Sequence, residues 1–195
     1  MSTQTNIPVL ILAGGASHRF GSPKGLARLN GSRLIDIVCE RLRVQTSGPI
    51  AINAHPDGPY RDMEHEIVPD THKDQPGPLA GLYAAMSWAS TNGKSAVITV
   101  PIDIPFLPLD LVSKLQDAGA PAIASSRKRH HPVCGLWPAA LKDDLNTQLE
   151  KGMRVAHAWA EHCRAQPTQF PLDQQGRDPF FNINTREDLA KAQSR

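Results

Sequence analysis

The chain has 195 residues, 40% hydrophobic and 21% charged, which suits one soluble globular domain with a sizeable core. A net charge of +2 is too small for the dense basic face that duplex binding needs, so no nucleic-acid partner is expected; an anionic small substrate at a local positive site fits better. The 3 cysteines, Cys39, Cys134 and Cys163, form no Cys-x-x-Cys pair, no stretch approaches the roughly 18–20 apolar residues of a membrane span, and residues 1–8 lack a signal-peptide pattern, so the reading is cytoplasmic with no membrane contact.

The apolar run Val9-Leu10-Ile11-Leu12 reads as a short buried strand. It feeds a glycine-rich loop, Ala13-Gly14-Gly15-Ala16-Ser17-His18-Arg19-Phe20-Gly21-Ser22-Pro23-Lys24-Gly25. Without Cβ atoms, Gly14 and Gly15 can bring backbone N–H groups close to an anion, and Arg19 and Lys24 carry the charge a polyphosphate needs. The loop is neither a P-loop, which wants Gly-Lys-Ser/Thr, nor a Gly-x-Gly-x-x-Gly dinucleotide fingerprint. The plain alternative is a strand-to-helix loop with incidental cations.

A helix is expected over 32–43, with Ser32 as its N-cap and Leu34, Ile35, Ile37, Val38 and Leu42 as its apolar stripe. Ile50-Ala51-Ile52 reads as a strand ending at Asn53, and Ile67-Val68 as one leading to Asp70. The Asn53 amide could hold a ribose hydroxyl or a base edge, or simply form a turn; Asp70 by itself reads as a turn or helix-capping residue. Pro78 suits the first turn of a helix in which Ala80, Gly81, Ala84 and Ala85 permit close approach, either to the sheet or to a ligand. Residues 95–100 are β-branched and apolar, and open onto Pro101-Ile102-Asp103-Ile104-Pro105-Phe106-Leu107. An Asp at the end of a central strand between two prolines is a candidate ligand for a hard divalent cation; its alternative is a helix cap.

Further strands are expected at 120–125 and near 131–137, with helices over 109–115, 139–149 and 152–163, and a last strand-like run near Phe170. Arg127-Lys128-Arg129-His130-His131 is a basic cluster that is either a solvated turn or a lip for a second anionic substrate. Asn182 and Asn184 flank Ile183, so both amides should face one side, and Thr185 with Asp188 forms a capping-box start for a final helix.

The pattern Leu-Ala-Gly-Gly-x-Ser-x-Arg-Phe-Gly-x-x-Lys resembles the signature of MobA-type nucleotidyltransferases, the molybdenum cofactor guanylyltransferases. Gly77-Pro78-Leu79-Ala80-Gly81, Asp103-x-Pro-Phe-Leu, His131-Pro132 and Asn182-Ile183-Asn184-Thr185 extend that resemblance from Val9 to Leu189. It implies an α/β, three-layer Rossmann-like nucleotidyltransferase fold with a mostly parallel central sheet. One domain, 1–195, would have a nucleotide-binding half at about 8–107 and an acceptor-binding half at about 108–190. It further implies that Arg19, Lys24 and Asp103 are catalytic, that Mg²⁺ sits on Asp103, and that Leu12, Ala13, Gly14, Gly15, Lys24, Asn53, Asp70 and Asp103 bind the nucleotide. Pro78, Gly81, Arg154, Asn182 and Asn184 would bind the acceptor. Ile102 departs from the family pattern, where a small residue or Cys is common; the expected effect is on packing.

The implied reaction is attack by the terminal phosphate of molybdopterin on the α-phosphorus of GTP, releasing pyrophosphate. Molybdopterin-donating proteins and molybdoenzyme chaperones are the protein partners the resemblance allows. Gly14, where related cytidylyltransferases carry Ala, favours GTP over CTP. The alternatives are a molybdopterin cytidylyltransferase, a sugar-phosphate nucleotidyltransferase and a non-catalytic nucleotide-binding protein; the glycine spacing disfavours a nicotinamide oxidoreductase.

Overall fold

A computed structural model describes residues 5–14, 23–71 and 77–195. The chain opens with strand β1 (Val9–Leu12), a two-stranded hairpin of β2 (Arg28–Leu29) and β3 (Ser32–Arg33), and helix α1 (Leu34–Arg43). There follow β4 (Ile50–Asn53), β5 (Ile67–Val68), α2 (Pro78–Thr91), β6 (Ala96–Pro101) and α3 (Leu111–Ala118). The remainder is β7 (Ala122–Ser126), β8 (Arg129–Pro138), α4 (Lys142–Glu150), α5 (Ala156–His162), β9 (Gln166–Gln169) and α6 (Arg186–Gln193).

Seven strands form one sheet in the order β5-β4-β1-β6-β8-β7-β9. Only β8 runs against its neighbours, β6 and β7; the other pairings are parallel. Alternation along β1 explains the layering. Val9 and Ile11 join Ile35, Val38 and Leu42 of α1 and Leu111 and Leu115 of α3 on one face. Leu10 joins Leu79, Leu82 and Met86 of α2, Leu145 of α4 and Trp159 of α5 on the other. The result is the expected three-layer α/β architecture.

Several boundaries differ from expectation: β7 starts at Ala122 rather than 120, and the helix expected from 139 opens as a 3₁₀ turn with α4 proper beginning at Lys142. Ser32 does not cap α1: it lies in β3, and the helix begins at Leu34 after an extended Arg33. Asn30 and Gly31 turn the hairpin with φ of 50° and 91°, the conformation an Asn-Gly pair favours. Gly152, Met153 and Arg154 precede α5 rather than start it, because Gly152 adopts φ 93° and the chain becomes helical only at Ala156. The short α3 begins at Leu111, two residues later than expected. At the other end, Thr185 and Asp188 form a reciprocal capping box at the start of α6.

Candidate active site

The strand order reverses direction at β1 and β6. From β1 the chain crosses to β4 and then β5 on one side; from β5 it returns to β6 on the other. Open α/β sheets bind ligands at the carboxyl ends of strands at such a switch point. The register makes those ends level here, since Leu12 pairs with both Asn53 and Pro101.

Lys24 and Asp103 meet across this switch point. Lys24 Nζ lies 3.0 Å from Asp103 Oδ2 and donates to Asn184 Oδ1 at 2.8 Å. Two local devices position it. Pro23 and a short 3₁₀ turn over Lys24–Leu26 set the backbone, with Leu26 N bonded to Pro23 O at 3.0 Å. Gly25 then lets Ile102 and Tyr60 close over it: a Cβ there would sit 2.2 Å from Ile102 Cδ1 and 2.6 Å from Tyr60 Oη. Tyr60 accepts from Gly25 N–H at 3.2 Å. Ile102 therefore fills space left by a glycine next to the lysine.

Asn53 is 2% exposed at the end of β4. Its Nδ2 donates to Val68 O at 3.0 Å and to Asp70 Oδ1 at 2.8 Å. Its Oδ1 faces two glycines: a Cβ on Gly81 would stand 2.9 Å from it and one on Gly14 3.4 Å. Leu12, Gly14, Asn53, Asp70, Pro78, Gly81 and Asp103 thus share one cavity of about 530 Å³. Ala13, whose N–H bonds Asn53 O at 3.0 Å, anchors the start of the loop to β4. Gly15 and Arg19 lie outside the described residues.

A second cavity, of about 390 Å³, adjoins the first and shares Pro78, Pro101 and Val133 with it. Arg129, His130, His131, Arg154, Phe180 and Asn182 contribute to its lining. Arg154 is partly committed to the fold, because its Nη1 donates to Leu149 O at 2.8 Å and closes the end of α4. Ile183 is buried against Leu29 and Leu34, and its N–H bonds Asp103 O at 2.9 Å. That bond fixes the two flanking amides, which divide their tasks: Asn182 lines the second cavity and Asn184 holds Lys24. In the basic cluster, Arg129 and His130 line this cavity, whereas Arg127 and Lys128 form the β7–β8 turn with φ of 46° and 63°. Arg127 donates to Gly176 O. Sequence reasoning passed over Tyr60, Ser126 and Asp178, and read Gly25 only as a turn glycine after Lys24.

The residues fit a divalent cation. Asp103 Oδ1 is buried and has no hydrogen-bond partner among the described residues. A hard cation takes carboxylate oxygen, and a single carboxylate suffices where phosphate oxygens and water complete the shell.

A family profile described as MobA-like NTP transferase domain matches residues 9–166. The chain belongs to the MobA-like NTP transferase family. It is 42% identical to a molybdenum cofactor guanylyltransferase of Rhizobium meliloti (strain 1021), over 96% of this chain and 90% of that protein. It is 39% identical to a protein of the same name from Rhizobium rhizogenes (strain K84), over 96% and 91%. Among solved structures it is similar to the molybdopterin-guanine dinucleotide biosynthesis protein A of Archaeoglobus fulgidus, with a TM-score of 0.73, 24% identity and coverage of 96% and 97%; at that identity the likeness speaks for the fold. Membership makes the chain a nucleotidyltransferase whose chemistry calls for a divalent metal. No helix among the described residues is long and apolar enough to cross a membrane.

Proposed function

We propose that this enzyme transfers GMP from GTP to the phosphate of molybdopterin, giving the guanine dinucleotide cofactor and pyrophosphate. The observation that carries the reading is Lys24 Nζ held between Asp103 Oδ2, which lines the first cavity, and Asn184 Oδ1, two residues on from Asn182 of the second. The names of the full-length relatives support the choice of substrates.

The nucleotide occupies the cavity of Leu12, Gly14, Asn53 and Asp70, next to Ala13, in the half over about 8–107; Gly81, expected to bind the acceptor, lines this cavity instead, and Pro78 lines both. Molybdopterin occupies the neighbouring cavity with Arg154 and Asn182, largely in the half over about 108–190. Gly15 and Arg19 complete the phosphate cradle in this proposal. Asp103 would hold Mg²⁺, whose chemistry there is neutralisation of triphosphate charge.

A phosphate monoester has a second pKa near 6, so at pH 7 the nucleophile is already mostly ionised and needs no general base. The barrier is repulsion between anions: two unit charges about 4 Å apart repel by about 4 kcal/mol at an effective dielectric near 20. Lys24 offsets this by meeting the negative charge that develops on the leaving pyrophosphate. Asn184 keeps the ammonium in place, and Ile183 N–H ties that asparagine to the Asp103 turn.

GTP is favoured over CTP by what Gly14 leaves open. A Cβ there would make only ordinary contacts, 3.4 Å from Asn53 Oδ1 and 3.6 Å from Asp70 Oδ2. Packing therefore does not demand glycine, and the space beside the Asp70 carboxylate is left for a larger base. The cysteines are unpaired, which agrees with a cytoplasmic setting. Purified protein given Mg²⁺, molybdopterin and each of the four NTPs should release pyrophosphate and form a dinucleotide with GTP. Equal turnover with CTP would reject the base assignment, and no turnover with any NTP would reject the function.

A further inference from the structure

We propose that Asp178 and Ser126 hold His131 as a fixed hydrogen-bond acceptor for an N–H edge of the acceptor substrate's heterocycle. The inference rests on the assignment of the second cavity to the acceptor.

The argument is a count of protons. Ser126 Oγ is 2.8 Å from Asp178 Oδ1 and 2.8 Å from His131 Nε2, and Ser126 is fully buried. A hydroxyl has one proton, and a carboxylate only accepts, so the serine proton goes to Asp178. His131 Nε2 must then carry a hydrogen and donate to Ser126 Oγ. A neutral imidazole has one N–H, which leaves Nδ1 with a lone pair and no partner among the described residues. Phe180 N–H also donates to Asp178 Oδ1, at 2.9 Å, so the carboxylate is itself fixed. The Phe180 ring stacks on His131 with centroids 4.6 Å apart and planes at 22°, which sets the imidazole plane.

The ring stays neutral. Burial pushes His131 down to about 4, and Arg129, His130 and His157 push the same way, against the opposing pull of Asp178. The cavity also presents two cationic donors, Arg129 and Arg154, which suit phosphate. A lone pair among them repels phosphate oxygen and accepts an N–H. A pterin carries amino and ring N–H groups; a phosphate or sugar tail without them would gain nothing here. His131 is thereby a specificity residue, and Ser126 and Asp178 are positioning residues acting through it.

The test uses ¹⁵N-histidine-labelled full chain and long-range ¹H–¹⁵N spectra. The apo protein should show His131 as the Nε2–H tautomer, and anaerobic addition of molybdopterin should move the Nδ1 resonance far more than Nε2. Ser126→Ala should abolish the tautomer preference. In kinetics, His131→Phe should raise KM for molybdopterin about tenfold, the scale of one hydrogen bond, with GTP affinity unchanged. His131→Asn keeps an acceptor near the Nδ1 position and should recover most of that loss. An Nδ1–H tautomer, an Nδ1 signal unmoved by saturating molybdopterin, or a wild-type KM in His131→Phe would each overturn the inference while leaving the reaction intact. Absence of transfer by the wild type would instead overturn the proposed function, and this inference with it.

Discussion

Gly81 offers a test in which two physical effects compete with opposite signs. It lies inside α2, where Gly→Ala ordinarily stabilises a helix by about 1 kcal/mol. A Cβ at this position would stand 2.9 Å from Asn53 Oδ1 and 3.0 Å from Leu12 Cδ2. The leucine methyl can give. Asn53 cannot move freely, because it is buried and tied to Val68 O and Asp70 Oδ1. Clearing the contact takes a shift of about half an ångström, enough to spoil one of those bonds, at a cost of about 1–3 kcal/mol for a buried group. The steric term therefore wins: Gly81→Ala should lower stability by up to about 2 kcal/mol and weaken GTP binding about tenfold. In an Asn53→Ala background the obstacle is gone, and the same substitution should stabilise by about 1 kcal/mol. Urea melts of the four proteins give the cycle, and calorimetric titration with GTP gives the affinities. A single Gly81→Ala variant that is more stable than wild type and binds GTP equally well would refute the claim that Asn53 is held rigidly against the helix.

Asp103→Ala and Lys24→Ala should each cut turnover about 10²–10³-fold, the scale seen when one preorganised charged or donor group is removed, with unchanged circular dichroism; a variant turning over at the wild-type rate would contradict its role. Gly14→Ala should fold normally, since its Cβ meets only ordinary contacts, and should shift the GTP/CTP ratio of kcat/KM toward CTP; an unchanged ratio would reject the argument from space. Gly25→Ala should destabilise by about 1–3 kcal/mol through the clash with Ile102 Cδ1, and Ile102→Val, which lacks that atom, should recover part of the loss in thermal melts. Burial pushes His131 down to about 4 in the folded chain from an ordinary value near 6.5, so between those values the unfolded chain binds the extra proton. Stability should accordingly fall by up to about 3 kcal/mol as pH drops from 6.5 to 4, and His131→Phe should flatten that slope.

The first half of the site was legible because its residues sit at strand ends. Val9–Leu12, Ile50–Asn53 and the run ending at Pro101 announce parallel strands by their apolar, β-branched character, and Gly14, Asn53 and Asp103 follow directly. The capping box at Thr185 was equally local. What escaped depends on contacts between distant positions. Nothing near Lys24 announces that its partner Asn184 is 160 residues away, nor that Ser126 joins Asp178 across 52. Gly25 reads as an ordinary turn glycine until Ile102 and Tyr60 are seen against it. The β2–β3 hairpin is a different case: Asn30-Gly31 was a local signal, overridden by reading Ser32 as a cap.

The reversal of β8 explains why the two cavities adjoin. Its pairing with β6 begins at Pro138 opposite Ala96 and ends at Gly135 opposite Thr99. The earlier residues of β8, Arg129 to Cys134, therefore run on past the end of that ladder, beside the turn that carries Asp103. There they pair only with β7, up to Ser126 opposite Arg129. A parallel β8 would have put its beginning at the far edge of the sheet, and Arg129 and His131 with it. Running antiparallel, β8 delivers its first residues to the same edge as the carboxyl ends of β1, β4 and β6. Residues 129–134 thus wall the second cavity, and Phe180 and Asn182 line it as well. The one strand of the seven-stranded sheet that runs against its neighbours is what sets the second cavity beside the first.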